Sequence, residues 1–271
     1  EVGEDLPETG RTLVARRLSS GRPEMADVAA AAAVLAEPVE AAVVERLVPS
    51  LGADEVLVAL DELVEAGLLT EVEGGHTFVH AAYRRAVLGA QRAGRRRLLH
   101  DAAFRALEAR GAPPAVLAHH ALGAGPLVPA EEAVAQLRRA GEEAVARGAF
   151  VDAAAFLDRA LERGAAAERP ALRVALADAR WRGGDIAAAK ALAAEVVAEA
   201  LAGSVPETVL VDAVVLHGTF GTAYSIDPAS LAFADQALDL VGDPGLRARV
   251  LASSAYHHAM WGSTVPTATA A

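Results

Sequence analysis

The feature that most restricts what this chain can fold into is an internal repeat built on small residues. Ala140-Gly141-Glu142-Glu143-Ala144 leads through Arg147-Gly148-Ala149-Phe150-Val151-Asp152-Ala153 to Leu157-Asp158-Arg159-Ala160-Leu161. A second copy runs from Leu176 through Arg182-Gly183-Gly184-Asp185-Ile186 to Ala194-Glu195-Val196, with Gly148 and Gly184 spaced 36 residues apart. A unit of this length with a glycine turn at its centre is an antiparallel helical hairpin. The glycines make the turn, and Gly141, Ala153, Ala160, Ala177 and Ala189 let the helices approach closely. Phe150 and Ile186, in equivalent positions after each turn, are expected to plug the hairpin. A third, looser copy is expected as helices over 207–220 and 229–241, joined by a long turn around Ser225-Ile226-Asp227-Pro228. A further apolar helix follows from Leu246 to Trp261.

Composition agrees with close-packed helices. The 271 residues are 53% hydrophobic but only 4% aromatic. The apolar fraction is too high for a disordered chain. No stretch approaches the roughly 18 uninterrupted apolar residues of a membrane span. The chain has no cysteine, which excludes disulfides, thiolate metal sites and a cysteine nucleophile, and fits a cytoplasmic location. No secretory signal is present at the acidic start. The sortase-like pentapeptide Leu6-Pro7-Glu8-Thr9-Gly10 stands at the wrong end of the chain to act as one. The missing initiator methionine and the unpaired last helix give the expectation that this is a piece of a longer protein, with the repeats truncated.

Before the repeats the pattern differs. The sequence predicts helices over 25–36, 39–48 and 53–66, the last with Val56, Leu57, Leu60, Leu63 and Val64 at helical spacing and Gly67 as its stop. The period then switches to two: Leu68–Val72 and His76–His80 read as strands around the Glu73-Gly74-Gly75 turn. Three helices and a β-hairpin make a winged helix. Further helices are expected over 81–90, 94–110 and 113–121, and the Gly/Pro-rich stretch 123–129 is expected to be the domain boundary. The predicted organisation is a linker or arm over 1–24, a winged-helix-like domain over 25–90, a helical linker over 91–128 and helical repeats over 129–271. The fold class is mainly α: a winged helix followed by an α-solenoid of the tetratricopeptide (TPR) type, whose repeat is about 34 residues long.

The series Ala59-Leu60-Asp61-Glu62-Leu63-Val64-Glu65-Ala66-Gly67-Leu68-Leu69, then Phe78-Val79-His80, Arg84-Arg85-Ala86-Val87 and Arg97-Leu98-Leu99-His100, resembles the large ATP-dependent LuxR-type transcriptional regulators. These MalT-like members of the STAND ATPases are common in actinobacteria. The resemblance covers 27–161 well and the remainder loosely. It implies a P-loop ATPase module before the winged helix, a TPR-like sensor after it, and a terminal DNA-binding helix-turn-helix. Neither a G-x-x-x-x-G-K-[ST] loop nor that helix-turn-helix is found here, and the sole lysine, Lys190, sits within a repeat. The fragment itself is expected to hold no cofactor, with ATP or ADP implied for its parent.

The resemblance also singles out His80. In related ATPases a histidine of a Met-His-Asp motif contacts the β-phosphate of ADP at this point, and Val79-His80-Ala81 keeps only the histidine. Arg84, one turn along, is a second phosphate candidate. The implied partners are the ATPase module of the same chain, a small effector or a protein on the repeats, and further copies of the full-length protein. The alternative is an interaction adaptor with no DNA-related role, appended to a kinase or cyclase.

Arg84 to Arg110 carries eight arginines against Asp101 and Glu108, a local balance of +6 in a chain of net charge −11. Nucleic-acid binding is not expected, because the predicted third helix, 53–66, is acidic and has no Arg or Lys to meet phosphates or base edges. The arginines are expected to face acidic surfaces of the ATPase module or of the repeats. The pairs His119-His120 and His257-His258 are not expected to chelate a metal, since adjacent helical residues point about 100° apart. No catalytic grouping is legible, so enzymatic activity is not expected. A ligand or partner groove is the remaining candidate site: Trp181, His217, Tyr224, Tyr256, His257 and Trp261, with Trp181, His217 and His257 each on the first helix of a hairpin.

Overall fold

The computed structural model describes residues 8–203, 205–219 and 228–261. It divides into two units, Glu1–Ala133 and Val134–Ala271.

The first unit is organised around α2 (Pro23–Val34), which follows α1 (Glu8–Ser20). Every residue of α2 from Val28 to Val34 is buried. A helix that is apolar on all sides is stable only when surrounded. Here the covering elements are α1, α3 (Ala41–Leu47), α4 (Ala53–Glu65), α5 (Ala81–Ala90) and α6 (Ala93–Glu108). The alanines permit close approach on every side, and the larger Leu60, Leu63, Leu68 and Leu69 fill the space between elements. Residues 1–24, expected as a linker, thus include a helix that belongs to the core. Val14 is buried, and the Arg17 guanidinium donates to the Gly67 carbonyl at 3.4 Å.

β1 (Leu69–Val72) and β2 (Gly75–Phe78) pair antiparallel, Leu69 opposite Phe78 and Val72 opposite Gly75. Val39, ahead of α3, adds a one-residue third strand. Its N–H donates to the His76 carbonyl at 2.7 Å, and the His76 N–H donates back at 3.0 Å. Helix, short strand, two helices and hairpin is the winged-helix order. The structure therefore bears out that reading and places Val39 in the sheet, where a helix from residue 39 was expected.

α6 and α7 (Pro114–Ala124) pack against each other. The Gly/Pro-rich stretch after them is not a free linker. Gly123 lies inside α7, Gly125–Leu127 forms a single 3-10 turn, and Val128 is buried with Phe104, Leu117 and Ala133. The division between units falls at Ala133, a few residues beyond the expected boundary.

The second unit consists of helical hairpins. α8 spans Ala130–Ala146, α9 Phe150–Arg163, α10 Arg169–Arg182, α11 Ile186–Leu201, α12 Glu207–Thr219, α13 Pro228–Leu240 and α14 Pro244–Trp261. Gly148 and Gly184 adopt φ of 76° and 91°, the left-handed conformation that stops one helix and releases the next. Gly141 faces Leu157 across the first hairpin so closely that a Cβ there would lie 2.8 Å from the leucine Cγ. Gly141→Val is accordingly expected to lower the unfolding free energy by about 2 kcal/mol, the usual cost of overfilling a packed interface, as measured by urea denaturation. Ile186, expected to plug the second hairpin, is instead 41% exposed, whereas Phe150 is half-buried and its Cβ lies near Gly183. The expected equivalence of the two side chains therefore does not hold. The second turn is fastened by polar groups: Asp185 accepts from the Ala188 N–H, and Arg180 bridges Asp158 and Asp185.

Candidate functional site

The winged-helix hairpin ends by delivering His80 to the first position before α5. Its backbone is extended (φ −139°), and its side chain makes no capping hydrogen bond. The imidazole is exposed and meets the Tyr83 ring edge-on at 5.1 Å.

Arg84 has a different setting. Its Nε donates to the Ala33 carbonyl at 2.8 Å and its Nη2 to the Leu35 carbonyl at 2.9 Å. These acceptors end α2, where carbonyls lack partners within the helix. One guanidinium satisfies both and ties α5 to α2. Arg84 is thus in large part a structural clamp, a role its sequence neighbourhood does not signal.

α6 and α7 bring together three histidines that the sequence does not associate. His100 Nδ1 and His120 Nδ1 lie 3.2 Å apart, with both side chains buried. The His119 ring meets both at centroid distances of 5.5 and 5.2 Å. A contact between two Nδ1 atoms needs one donor and one acceptor, so at least one of the two rings is neutral. Burial is the main cause that lowers the pKa of His100 to about 4, followed by His119, Arg96 and Arg84. The pKa of His120 falls to about 3, again first by burial and then by its histidine neighbours and Arg84. That of His119 is lowered too, by burial and by Arg84. The close packing of the cluster depends on Gly123, where a Cβ would sit 2.5 Å from the His100 ring. Among the described residues no group of three or more His, Asp or Glu side chains is arranged to hold a metal ion.

Part of the expected groove in the second unit is interior. His217 is only 3% exposed. Its Nδ1 lies 2.9 Å from Ser230 Oγ, and Phe233 meets its ring edge-on at 4.9 Å. It therefore joins α12 to α13 and does not line a surface. Trp181 is half-buried beside Ala177, Ala189 and Ala193, with the Arg182 guanidinium over its ring. Tyr224 lies outside the described residues, as do the side chains of Tyr256, His257 and Trp261 on the last turns of α14.

Several of the clustered arginines find acids within the first unit. Arg95 pairs with Asp27 at 2.7 Å and Arg110 with Glu40 at 2.5 Å, while Arg105 pairs with Asp101, Glu108 and Glu132. Of these acids only Glu132, at the start of α8, lies in the expected repeat region. The acidic character of α4 persists at its surface, where Asp54, Glu55, Asp61 and Glu65 are exposed.

These elements define a mainly helical protein, with a winged-helix arrangement in one unit and TPR-like helical hairpins in the other. No described helix is long and apolar enough to cross a membrane. No family model matches the chain. An uncharacterised protein of Rhizobium meliloti is 34% identical over 145 residues, covering 50% of this chain and 14% of that protein. Among solved structures, the chain is similar to a signal transduction ATPase with numerous domains (STAND) with a tetratricopeptide repeat sensor, from Pyrococcus horikoshii. That similarity has a TM-score of 0.40 and 16% identity, and covers 96% of this chain and 47% of the other.

Proposed function

We propose that this chain is a regulatory segment of a STAND-type, ATP-dependent transcriptional regulator of the LuxR class. In this reading the winged helix follows the nucleotide state of an ATPase module in the same polypeptide. The helical hairpins take a small effector or a protein partner. ATP or ADP binds the ATPase module, and the segment itself has no catalytic role and acts in the cytoplasm. Output passes to a separate DNA-binding domain. The acidic outer surface of α4, the helix that would enter a DNA groove, speaks against direct DNA contact by this winged helix.

The observation that carries the reading is His80: an exposed imidazole, uncommitted to capping, at the junction of hairpin and α5. An imidazole so placed can donate to a phosphate oxygen of a nucleotide held by a neighbouring module. The test is ADP release from the polypeptide that carries both this segment and the ATPase module. His80→Ala should speed release by about tenfold or more, as expected for the loss of one charge-assisted hydrogen bond. An unchanged release rate would remove the nucleotide-sensing role. A parent polypeptide with neither P-loop nor helix-turn-helix would leave the hairpins as an interaction adaptor.

A further inference from the structure

α7 packs outside the main core of the first unit. The buried core around α2 draws its residues from Val14 to Ala103 and takes none from α7. Leu117, Ala121 and Ala124 of α7 form a smaller cluster of their own with Phe104, Val128 and Ala133. A helix seated on a small, separate apolar cluster can open without the rest of its unit.

Beside that cluster the two helices are joined by imidazoles. The Nδ1 atoms of His100 on α6 and His120 on α7 stand 3.2 Å apart, both rings are buried, and His119 touches both. Such a contact holds only while one ring offers a lone pair. With both rings doubly protonated, two N–H groups would face each other and repel. The charged groups around the cluster are mostly cationic. Arg84 and Arg85 of α5 and Arg96 of α6 line a cavity with His100 and His119. Glu37, after α2, lines a second cavity with His119 and His120, but Arg84 lines it too, and Glu37 Oε1 accepts from the Phe78 N–H at 3.3 Å. Asp101, next to His100 in the chain, lies 3.9 Å from Arg105 Nε.

We propose that His100, His119 and His120 form a proton-operated latch: on acidification α7 parts from α6 while the core around α2 stays folded, uncovering Phe104, Leu117 and Ala121. Imidazoles released to water regain their ordinary basicity, so opening takes up protons and a return to neutral pH recloses the helix. Burial keeps the seated rings neutral well below pH 6, which places the whole proton uptake on the open form. α7 is the last full helix of the first unit, so the latch acts on the chain near the point where it leaves that unit. His80 lines neither cavity, and the inference does not depend on the nucleotide-sensing reading. A cluster that only stabilised the unit would fail together with all of it; a latch lets α7 go first.

The 271-residue chain has no cysteine, so a single introduced thiol reports local opening. Ala121→Cys places one on the inner face of α7 and Ala31→Cys one within α2, both at fully buried positions. Each variant is reacted with dithiodipyridine, which labels thiols in acid as well as at neutrality. Its rate is taken relative to that of glutathione at the same pH. Between about pH 7.5 and about pH 5 the relative rate of Ala121→Cys should climb by about thirtyfold for each histidine freed, about a thousandfold for the pair. The Ala31→Cys thiol should stay shielded at pH 5. Adding His120→Leu to Ala121→Cys should cut the climb by about thirtyfold. If either cysteine disturbs folding, amide exchange makes the comparison without substitution: at pH 5 the protection of Leu117 should be lost ahead of that of Val28. A relative rate that does not change with pH, two sites that open together, or a climb untouched by His120→Leu would overturn the proposal.

Discussion

Lowering the pH from about 8 to 5 is expected to remove about 4 kcal/mol from the stability of the first unit. His100 and His120 have native pKa values of about 4 and about 3, against 6.5 for the free side chain. In this window the unfolded chain binds protons that the native state refuses. Stability is therefore full well above pH 6.5 and is lost as pH falls through it, approaching about 1.4 kcal/mol per pH unit for each histidine. Both rings are still neutral in the native state at pH 5, so each contributes about 2 kcal/mol of loss there. His119, shifted in the same direction, adds to the effect. A domain of ordinary stability, roughly 5–15 kcal/mol, would lose a large share of it before any ion-paired carboxylate is protonated. Urea unfolding at half-unit pH steps measures the slope, and His120→Leu should roughly halve it. A stability independent of pH across this window would show that the imidazoles are not held neutral by burial.

Gly75→Ala is expected to be the most damaging single methyl addition in the winged helix, at about 2–4 kcal/mol. Gly75 has φ of 148°, a conformation that L side chains rarely adopt. A Cβ there would lie 2.3 Å from the Val39 carbonyl oxygen and 2.8 Å from its carbon. The obstacle is backbone and cannot turn aside. To relieve it, Val39 must leave the sheet and surrender both hydrogen bonds to His76, each worth about 1 kcal/mol. Gly89→Ala provides the opposite sign. That helical position has nothing within 4 Å of a new Cβ, so the substitution should stabilise by about 0.5–1 kcal/mol. Thermal unfolding of the two variants should move in opposite directions, and a Gly75→Ala protein that melts like the unsubstituted chain would refute the close approach.

The elements of both units are legible in the sequence because their signals are local. Gly67 ends α4, the two-residue period marks the hairpin, and Gly148 and Gly184 mark the hairpin turns. What escapes is what depends on the fold. Val39 reads as the start of a helix, because its strand-like state exists only where β2 passes beside it. Thr9 to Ser20 reads as polar arm, since the burial of Val14 requires α5. The histidine cluster joins His100 to residues 20 positions away, and the closeness comes from a glycine, Gly123, that reads as a helix breaker. His217 reads as a groove residue because aromatic and imidazole side chains suit grooves and cores alike; only the neighbouring α13 decides between them. Arg84 is the instructive case. Its charge is visible in sequence, but its use on two carbonyls of α2 is not.

That clamp has a mechanical consequence. α5 cannot roll about its axis or slide along it without stretching the bonds from Arg84 to Ala33 and Leu35. A push or pull delivered at its first turn, beside His80, is therefore relayed as displacement to α2, the helix on which the whole unit is assembled. The joint works as a rigid coupling between the surface and the centre of the unit. Replacing the forked guanidinium by the single ammonium of lysine would turn it into a loose one.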